Sequence, residues 1–560
     1  MEGCKMPTEE RTVVGNDKKS ERIIALENAL MEGLVYIGVF LLTLVLFLVV
    51  KPLYEVQRNG AVAQAIMSVA ICLIIGFIAY LGVSKRLNTR TIIIALLLLG
   101  YALRVGYMLY SPANARQQDT FSKNFDGHEA YAWTLFETGK LPTTNNYQFY
   151  HPPFNAMVQA TFMKFMAGLT SVLEGIVGEG YFPDAFLKSR PAYLDAERFY
   201  LYSTCQILSV MYSVITAVTL VKIISLFGFS DKTKLLATAF VVLYPRQIQF
   251  SGMLNNDGIS YMLAILALYY ALRWQKGNKS LVWLLLCGGA VGFGMMSKLS
   301  SATICMPIAG LFVYEFILTI RKKKGAMSWQ KTIMQYALFL LICAPIGLWF
   351  QVYAKVRFDQ DFGFVFSNLN RKLYTGDHSW FARFVFPFDL SEFFGSLYCK
   401  PFSGNYWLFN YALRSSIFGE FSYWQGEGFA TCAILFAYMV ATLLFISMIW
   451  CVIRAVKTRK DEDGLYKKSG FVFTDVLFMV LLVLSQTLSE IYFYIKMPYG
   501  CTMDFRYIMP LILGLGLLLG MTRKMLAVEG GKTSTILNRL LFISVIAFLT
   551  TSSLFYCVCI

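Results

Sequence analysis

Two of the three histidines in this 560-residue chain lie in one polar stretch, from Phe125-Asp126-Gly127-His128-Glu129-Ala130-Tyr131 to Phe149-Tyr150-His151-Pro152-Pro153-Phe154. Carboxylates and imidazoles side by side can move protons, orient a hydroxyl or ligate a divalent metal. Asp119 lies just before this stretch. Further polar groups recur at intervals: Arg246, the run Asn255-Asn256-Asp257, Lys298, and Asp504-Phe505-Arg506-Tyr507. Each alone reads as a helix cap or an interface residue. Brought to one surface, they would form a site holding both carboxylates and cations.

The chain that must position them is strongly apolar. Hydrophobic residues make up 57% and charged residues 15%, with a mean hydropathy of +0.54. A soluble chain carries roughly a quarter charged residues, so the composition assigns the protein to a bilayer. Apolar runs long enough to cross a ~30 Å hydrocarbon core recur at 34–50, 61–82, 91–110, 199–227, 235–250, 259–272, 281–296, 299–320, 333–352, 429–453, 471–495, 507–521 and 540–558, about thirteen spans in all. The expected fold is all-α and polytopic. Residues 1–33 read as a cytoplasmic tail and 34–110 as N-terminal spans. An exterior loop follows at 111–198, spans at 199–353, an aromatic-rich exterior loop at 354–428 and C-terminal spans at 429–560.

The net charge of +16 is a topology signal. Basic residues gather in short connections: Lys85, Arg86 and Arg90; Lys232 and Lys234; Arg273, Lys276 and Lys279; Arg321 to Lys324; Arg454 to Lys460; Arg523 and Lys524. With a cytoplasmic N-terminus and alternating spans, all fall on the cytoplasmic side. Nucleic acid is not needed to explain the charge. The same alternation places the polar groups of the first paragraph together on the exterior side of the cell membrane. Gly531-Lys532-Thr533 is not a phosphate loop, because the first glycine of that motif would fall at Leu526.

Within the first loop, the apolar spacing from Phe154 predicts an amphipathic helix lying along the membrane surface. Arg104, inside a span, needs a polar partner or must snorkel. Gly288, Gly289, Gly292 and Gly294 would let spans 281–296 and 299–320 approach closely. Only Cys399 and Cys501 fall in exterior segments, where a disulfide could join them. The aromatics of the second loop, among them Phe388, Phe393, Phe394 and Trp424, suit a membrane interface, or else a groove for an isoprenoid chain or sugar rings.

The ordered motifs resemble a known group. Asp126-Gly127-His128 with Tyr131, then Leu141-Pro142 and Tyr150-His151-Pro152-Pro153-Phe154, is similar to the first exterior loop of polyprenyl-phosphate-sugar-dependent glycosyltransferases of the GT-C fold, the family 39-like relatives of the protein O-mannosyltransferases. Asn255-Asn256-Asp257 after Tyr244-Pro245-Arg246, Ser297-Lys298-Leu299 and Phe505-Arg506-Tyr507 resemble further motifs of that group in the same order. The resemblance covers about residues 90–520. It departs where members often carry an adjacent Asp-Glu pair, since Glu129 stands three positions after Asp126. The two extra leading spans and the lack of a large soluble C-terminal domain favour a bacterial enzyme using undecaprenyl phosphate.

What the resemblance implies is sugar transfer from a polyprenyl-phosphate donor to an acceptor hydroxyl, with inversion. Asp126 is expected as the base, with His128 and Asp119 the other catalytic candidates. His151, Asn255, Asn256, Asp257, Lys298, Arg506 and Tyr507 are expected to bind substrate, Lys298 and Arg506 taking the phosphate. No cofactor is required, and the histidines leave a divalent metal open. The acceptor is left open among glycan, lipid and protein. The rival readings are a secondary transporter, which calls for internal repeats and midplane ionisable residues, and a lipid-linked polysaccharide ligase.

Overall fold

The computed structural model describes residues 10–57, 61–365, 371–387, 389, 397–399, 404–423, 425–459 and 464–558. Among the described residues there is no strand, only an isolated bridge between Tyr374 and Tyr499. The helices run α1 (Glu10–Gln57), α2 (Ala61–Val83), α3 (Thr89–Tyr110), α4 (His128–Thr138), α5 (Phe154–Val177), α6 (Tyr181–Ala185), α7 (Ala196–Thr204), α8 (Gln206–Ser225), α9 (Asp231–Val242) and α10 (Pro245–Phe250). They continue as α11 (Asp257–Lys276), α12 (Leu281–Ser297), α13 (Cys305–Ile320), α14 (Trp329–Phe358), α15 (Trp380–Phe384), α16 (Leu408–Phe418), α17 (Glu427–Lys457), α18 (Phe473–Lys496), α19 (Leu511–Glu529) and α20 (Lys532–Val558). Helix α1 begins well inside the expected tail and carries the first span, Leu30–Val56.

Eleven helical segments among the described residues are long and apolar enough to cross a membrane, against about thirteen expected. Three expected spans are absent from that set for distinct reasons. The run 235–250 is broken before Pro245, which starts α10 and lacks the N–H to continue α9. Helix α11 has the length, but Asp257, Arg273, Gln275 and Lys276 at its ends, with its three tyrosines, lower its hydropathy. It needs less, because α8 and α12 surround it and most of its residues face protein. Helix α12 is only 17 residues long. The added segment is α5.

The ends of α5 show that it does not traverse the bundle. Its first residue follows the His151-Pro152-Pro153 turn. Its last leads to α6, which lies against Pro52, Leu53 and Val56 at the far end of α1, where Lys188 Nζ donates to Val56 O at 2.5 Å. Both ends are thus held at the face where α1 and α3 finish. A helix lying along that face is what the apolar spacing after Phe154 predicts.

The long helices run between two faces. On one, Lys222 pairs with Glu32, Lys276 with Asp475, Lys279 with Glu315 and Arg454 with Glu529. The basic connections gather there, as the charge pattern anticipated; Lys460 lies outside the described residues. The opposite face, called here the site face, carries the ends of α3, α12 and α18 and the starts of α4, α11 and α19. Of the α12 glycines, Gly294 faces Ser301 in the expected neighbouring span, while Gly288 and Gly292 serve a different one. A Cβ on Gly292 would lie 2.9 Å from Ile346 Cβ, so the close approach is to α14 rather than α13.

Arg104 explains how the α9 break survives inside the bundle. Its buried guanidinium donates to Val242 O at 3.0 Å, Gly100 O at 2.8 Å, Ser213 Oγ at 2.7 Å and Gln247 Oε1 at 3.3 Å. Gln247 Nε2 donates to Val241 O at 2.7 Å. Carbonyls freed by the break would otherwise be unsatisfied in a medium without water. At the end of α3, Lys51 Nζ donates to Met108 O, Leu109 O and Ser111 O and so caps the helix.

Candidate active site

The segment after α3 crosses the site face pinned by an amide side chain. Gln117 Nε2 donates to Gly252 O at 2.7 Å, and Gln117 Oε1 accepts the Leu254 N–H at 2.9 Å. The backbone is left-handed at Arg116, Asp119 and Phe125, a conformation that costs free energy in residues other than glycine and gathers at functional sites. It turns the segment so that Asp119 O accepts the His128 N–H at 3.1 Å and Thr120 O accepts the Glu129 N–H at 3.0 Å. The first free N–H groups of α4 are thereby satisfied. Gly127 makes this possible, since a Cβ there would lie 2.5 Å from Thr120 O. The result sets Asp119 beside His128.

Glu129 does not reach the site. It accepts two bonds from Arg198, at 2.5 and 3.0 Å, and ties α4 to α7. Across from α4, Tyr147 Oη donates to Asp119 Oδ1 at 2.8 Å, and the His128 and His151 rings stack with centroids 5.5 Å apart. Burial pushes the His128 imidazole down to about 4, with Lys298 and Arg506 adding to the effect and Asp119 and Asp257 opposing it. His151 is held well below its ordinary value by burial and by the same cations. Near neutral pH both rings are uncharged.

The opposite wall comes from three breaks in helices. Asn255 Nδ2 donates to Asp257 Oδ2 at 2.8 Å, and Asn256 Nδ2 to Ser297 O at 3.1 Å, joining the start of α11 to the end of α12. Lys298, the residue after α12, forms an ion pair with Asp257. Burial lowers the Lys298 ammonium and the Asp257 carboxylate pulls it back up, leaving it below the usual lysine value. The Tyr507 ring centroid lies 4.7 Å from Lys298 Nζ and 4.8 Å from the Arg506 guanidinium, so one aromatic ring lies against both cations.

Arg506 is fixed from behind. It donates to Gln118 Oε1 and, at 2.8 Å, to Tyr507 Oη. Asp504 accepts the Arg506 backbone N–H at 3.1 Å, and its two oxygens share the fully buried Arg246 Nη2, at 2.9 and 2.8 Å. Gln118 Nε2 then joins Asp504 Oδ2 at 2.8 Å to Glu420 Oε2 at 2.6 Å. Burial, with the Asp504 charge, pushes the Glu420 carboxyl up to about 8. Arg246 thus props the site and does not line it.

These walls enclose a cavity of about 320 Å³. It is lined by Asp119, His128, His151, Asn255, Asn256, Asp257, Lys298, Arg506 and Tyr507, so nine of the ten residues singled out from sequence meet in one place. Asp126 is not part of the lining. Its carbonyl accepts the Gln148 N–H at 3.0 Å, which anchors the Tyr147–Tyr150 turn, and its Oδ1 is buried. The fold-back at Gly127 brings Asp119 into the cavity instead. Sequence reading missed Gln118, Tyr147, Glu420 and Glu490. Glu490 carried a usable signal, as an acid inside an apolar run.

Among the described residues no three His, Cys, Asp or Glu side chains are grouped to hold a metal ion. No disulfide joins Cys399 to Cys501, contrary to the expectation, and the Cys399 thiol contacts Tyr411 O at 3.5 Å. The aromatic loop contributes Phe364 to the cavity. Tyr398, Tyr406, Tyr411, Phe418 and Tyr423 are buried in the packing beneath, while Trp380, Phe381, Phe386 and Phe409 are exposed as an interface would require. Phe388, Phe393, Phe394 and Trp424 lie outside the described residues.

Residues 203–349 match the dolichyl-phosphate-mannose-protein mannosyltransferase family. That stretch holds Arg246, Asn255-Asn256-Asp257 and Lys298, and its match agrees with the resemblance drawn from the motifs. No curated protein sequence matches the chain. Among solved structures, ArnT from Cupriavidus metallidurans, crystallised with undecaprenyl phosphate, is similar at 12% identity and a TM-score of 0.38, over 83% of this chain and 75% of that one.

Proposed function

We propose that this chain is an integral membrane glycosyltransferase that moves a sugar from a polyprenyl-phosphate carrier to an acceptor hydroxyl. The observation that carries this reading is the pair Lys298 and Arg506, held by one Tyr507 ring in a cavity that also contains Asp119. Polyprenyl carriers reside in the bilayer, and the cavity opens among membrane-length helices. The basic connections on the opposite face support an exterior site face under the positive-inside rule. The family match over 203–349 supports the same donor class.

The chemistry follows from the side chains. Asp119, within the cavity and oriented by Tyr147 Oη, takes the proton of the acceptor hydroxyl as its oxygen attacks the anomeric carbon. The bond from that carbon to the phosphate oxygen breaks, and its electron pair leaves with the phosphate. Lys298 and Arg506 stabilise the charge gathering there. Asp257 keeps Lys298 in place, and Asp504 with Gln118 keeps Arg506 in place. Attack opposite the leaving phosphate inverts the centre, as expected for hexosyl transfer of this type. The neutral His128 and His151 stack forms the wall on the acceptor side.

Binding of undecaprenyl phosphate to the purified chain in nanodiscs tests the reading. Lys298→Ala and Arg506→Ala should each weaken binding by about 1.5–3 kcal/mol, the range for a hydrogen bond to a charged group. Unchanged affinity in both variants would remove the phosphate from this cavity.

A further inference from the structure

Among the polar groups of the cavity that the transfer chemistry leaves unused, one is a carboxyl. Glu490, on α18, is 3% exposed and lines the cavity, and neither of its carboxyl oxygens has a hydrogen-bond partner among the described residues. Among the described residues it is also not ion-paired. Lys298 is taken by Asp257, and Arg506 by Asp119 and Asp504. A buried carboxyl without partners destabilises the fold, whereas a leucine at this position of an apolar helix would pack without penalty. Its side chain lines the same cavity as the cations, with both oxygens buried in the wall.

We propose that Glu490 recognises the sugar being transferred, accepting hydrogen bonds from its ring hydroxyls. The inference rests on the donor reading above. In a polyprenyl-phosphate sugar, the hydroxyl-bearing ring is attached directly to the phosphate. A phosphate at Lys298 and Arg506 therefore brings donors to a cavity wall that carries two buried, unpaired carboxyl oxygens. Phe493, one turn along α18 from Glu490, and Phe364 across the cavity supply apolar surface for the faces of a sugar ring. A site built to bond hydroxyls rejects a ligand lacking them, because its buried polar groups are then left unpaired.

The test compares bare undecaprenyl phosphate with its glucosyl and mannosyl derivatives, bound to the full chain in nanodiscs. The native protein should bind at least one glycosylated carrier more tightly than the bare one. Glu490→Leu should weaken that glycosylated carrier by about tenfold to a hundredfold and leave bare undecaprenyl phosphate unchanged. The same variant should melt at a higher temperature than the native protein, an outcome that a purely structural role for Glu490 would reverse. Glu490→Gln, which keeps an acceptor oxygen, should fall between the two in affinity. Equal affinity of the native protein for bare and glycosylated carriers would overturn the proposal, as would an equal loss for both carriers in Glu490→Leu or a lower melting temperature. If the native protein binds none of these lipids, the donor reading itself fails, and this inference falls with it.

Discussion

Replacing Asp119 by Asn separates the base from everything else the residue does. Asn keeps the size and an oxygen to accept the Tyr147 hydroxyl, now at 2.8 Å. It loses the 3.8 Å approach to Arg506, but the Asp119 side chain is 41% exposed there. A screened pair of that kind is worth about 0–1 kcal/mol, so donor affinity should change by less than about fivefold. The loss of basicity is another matter, since a positioned general base contributes ~10² to 10⁴ in rate. Initial rates of sugar transfer from a polyprenyl-phosphate donor should show kcat at least about a hundredfold lower with KM nearly unchanged. Asp126→Asn, altering a carboxyl outside the cavity lining, should stay within a few-fold of native. The reverse pattern, an inactive Asp126→Asn beside an active Asp119→Asn, would refute the reasoning and return the base to Asp126.

Arg104→Met should leave Val242 O buried without a donor and cost about 1–3 kcal/mol or more of stability, read as a lower melting temperature in detergent; Arg104→Lys should not restore it, because one ammonium cannot reach all four acceptors. Glu420 gives a pH signature. Its folded-state value is raised to about 8 by burial, so its contribution to stability is fully present below the unfolded carboxyl value and is lost as pH rises toward about 8. Thermal stability should fall across that window, and Glu420→Gln should flatten the slope.

The ordered motifs were legible because polar groups are scarce in this chain and each had to be placed where it could be satisfied. Asn255, Asp257, Lys298 and Arg506 stand at helix ends, which the alternation of spans brings to one face. The choice between Asp119 and Asp126 was not legible. It depends on left-handed turns at Arg116, Asp119 and Phe125 and on the close approach of Gly127 to Thr120 O, none of which follows from residue type. The span count failed for a related reason. Helix α11 is surrounded by protein rather than lipid, and α9 ends early because Arg104 and Gln247 can receive its carbonyls. Hydropathy reads the lipid-facing helices better than the central ones. Glu490 was readable as an acid within 471–495, but only the cavity shows that its oxygens have no partner.

The most direct measurement is mass spectrometry of membrane lipids and envelope glycans from cells making the native chain or Asp119→Asn at equal levels. Transfer by this site predicts that the variant accumulates one polyprenyl-phosphate sugar while one glycan, lipid or protein loses the mass of a single sugar residue. Identical lipid and glycan profiles in the two strains would contradict the account.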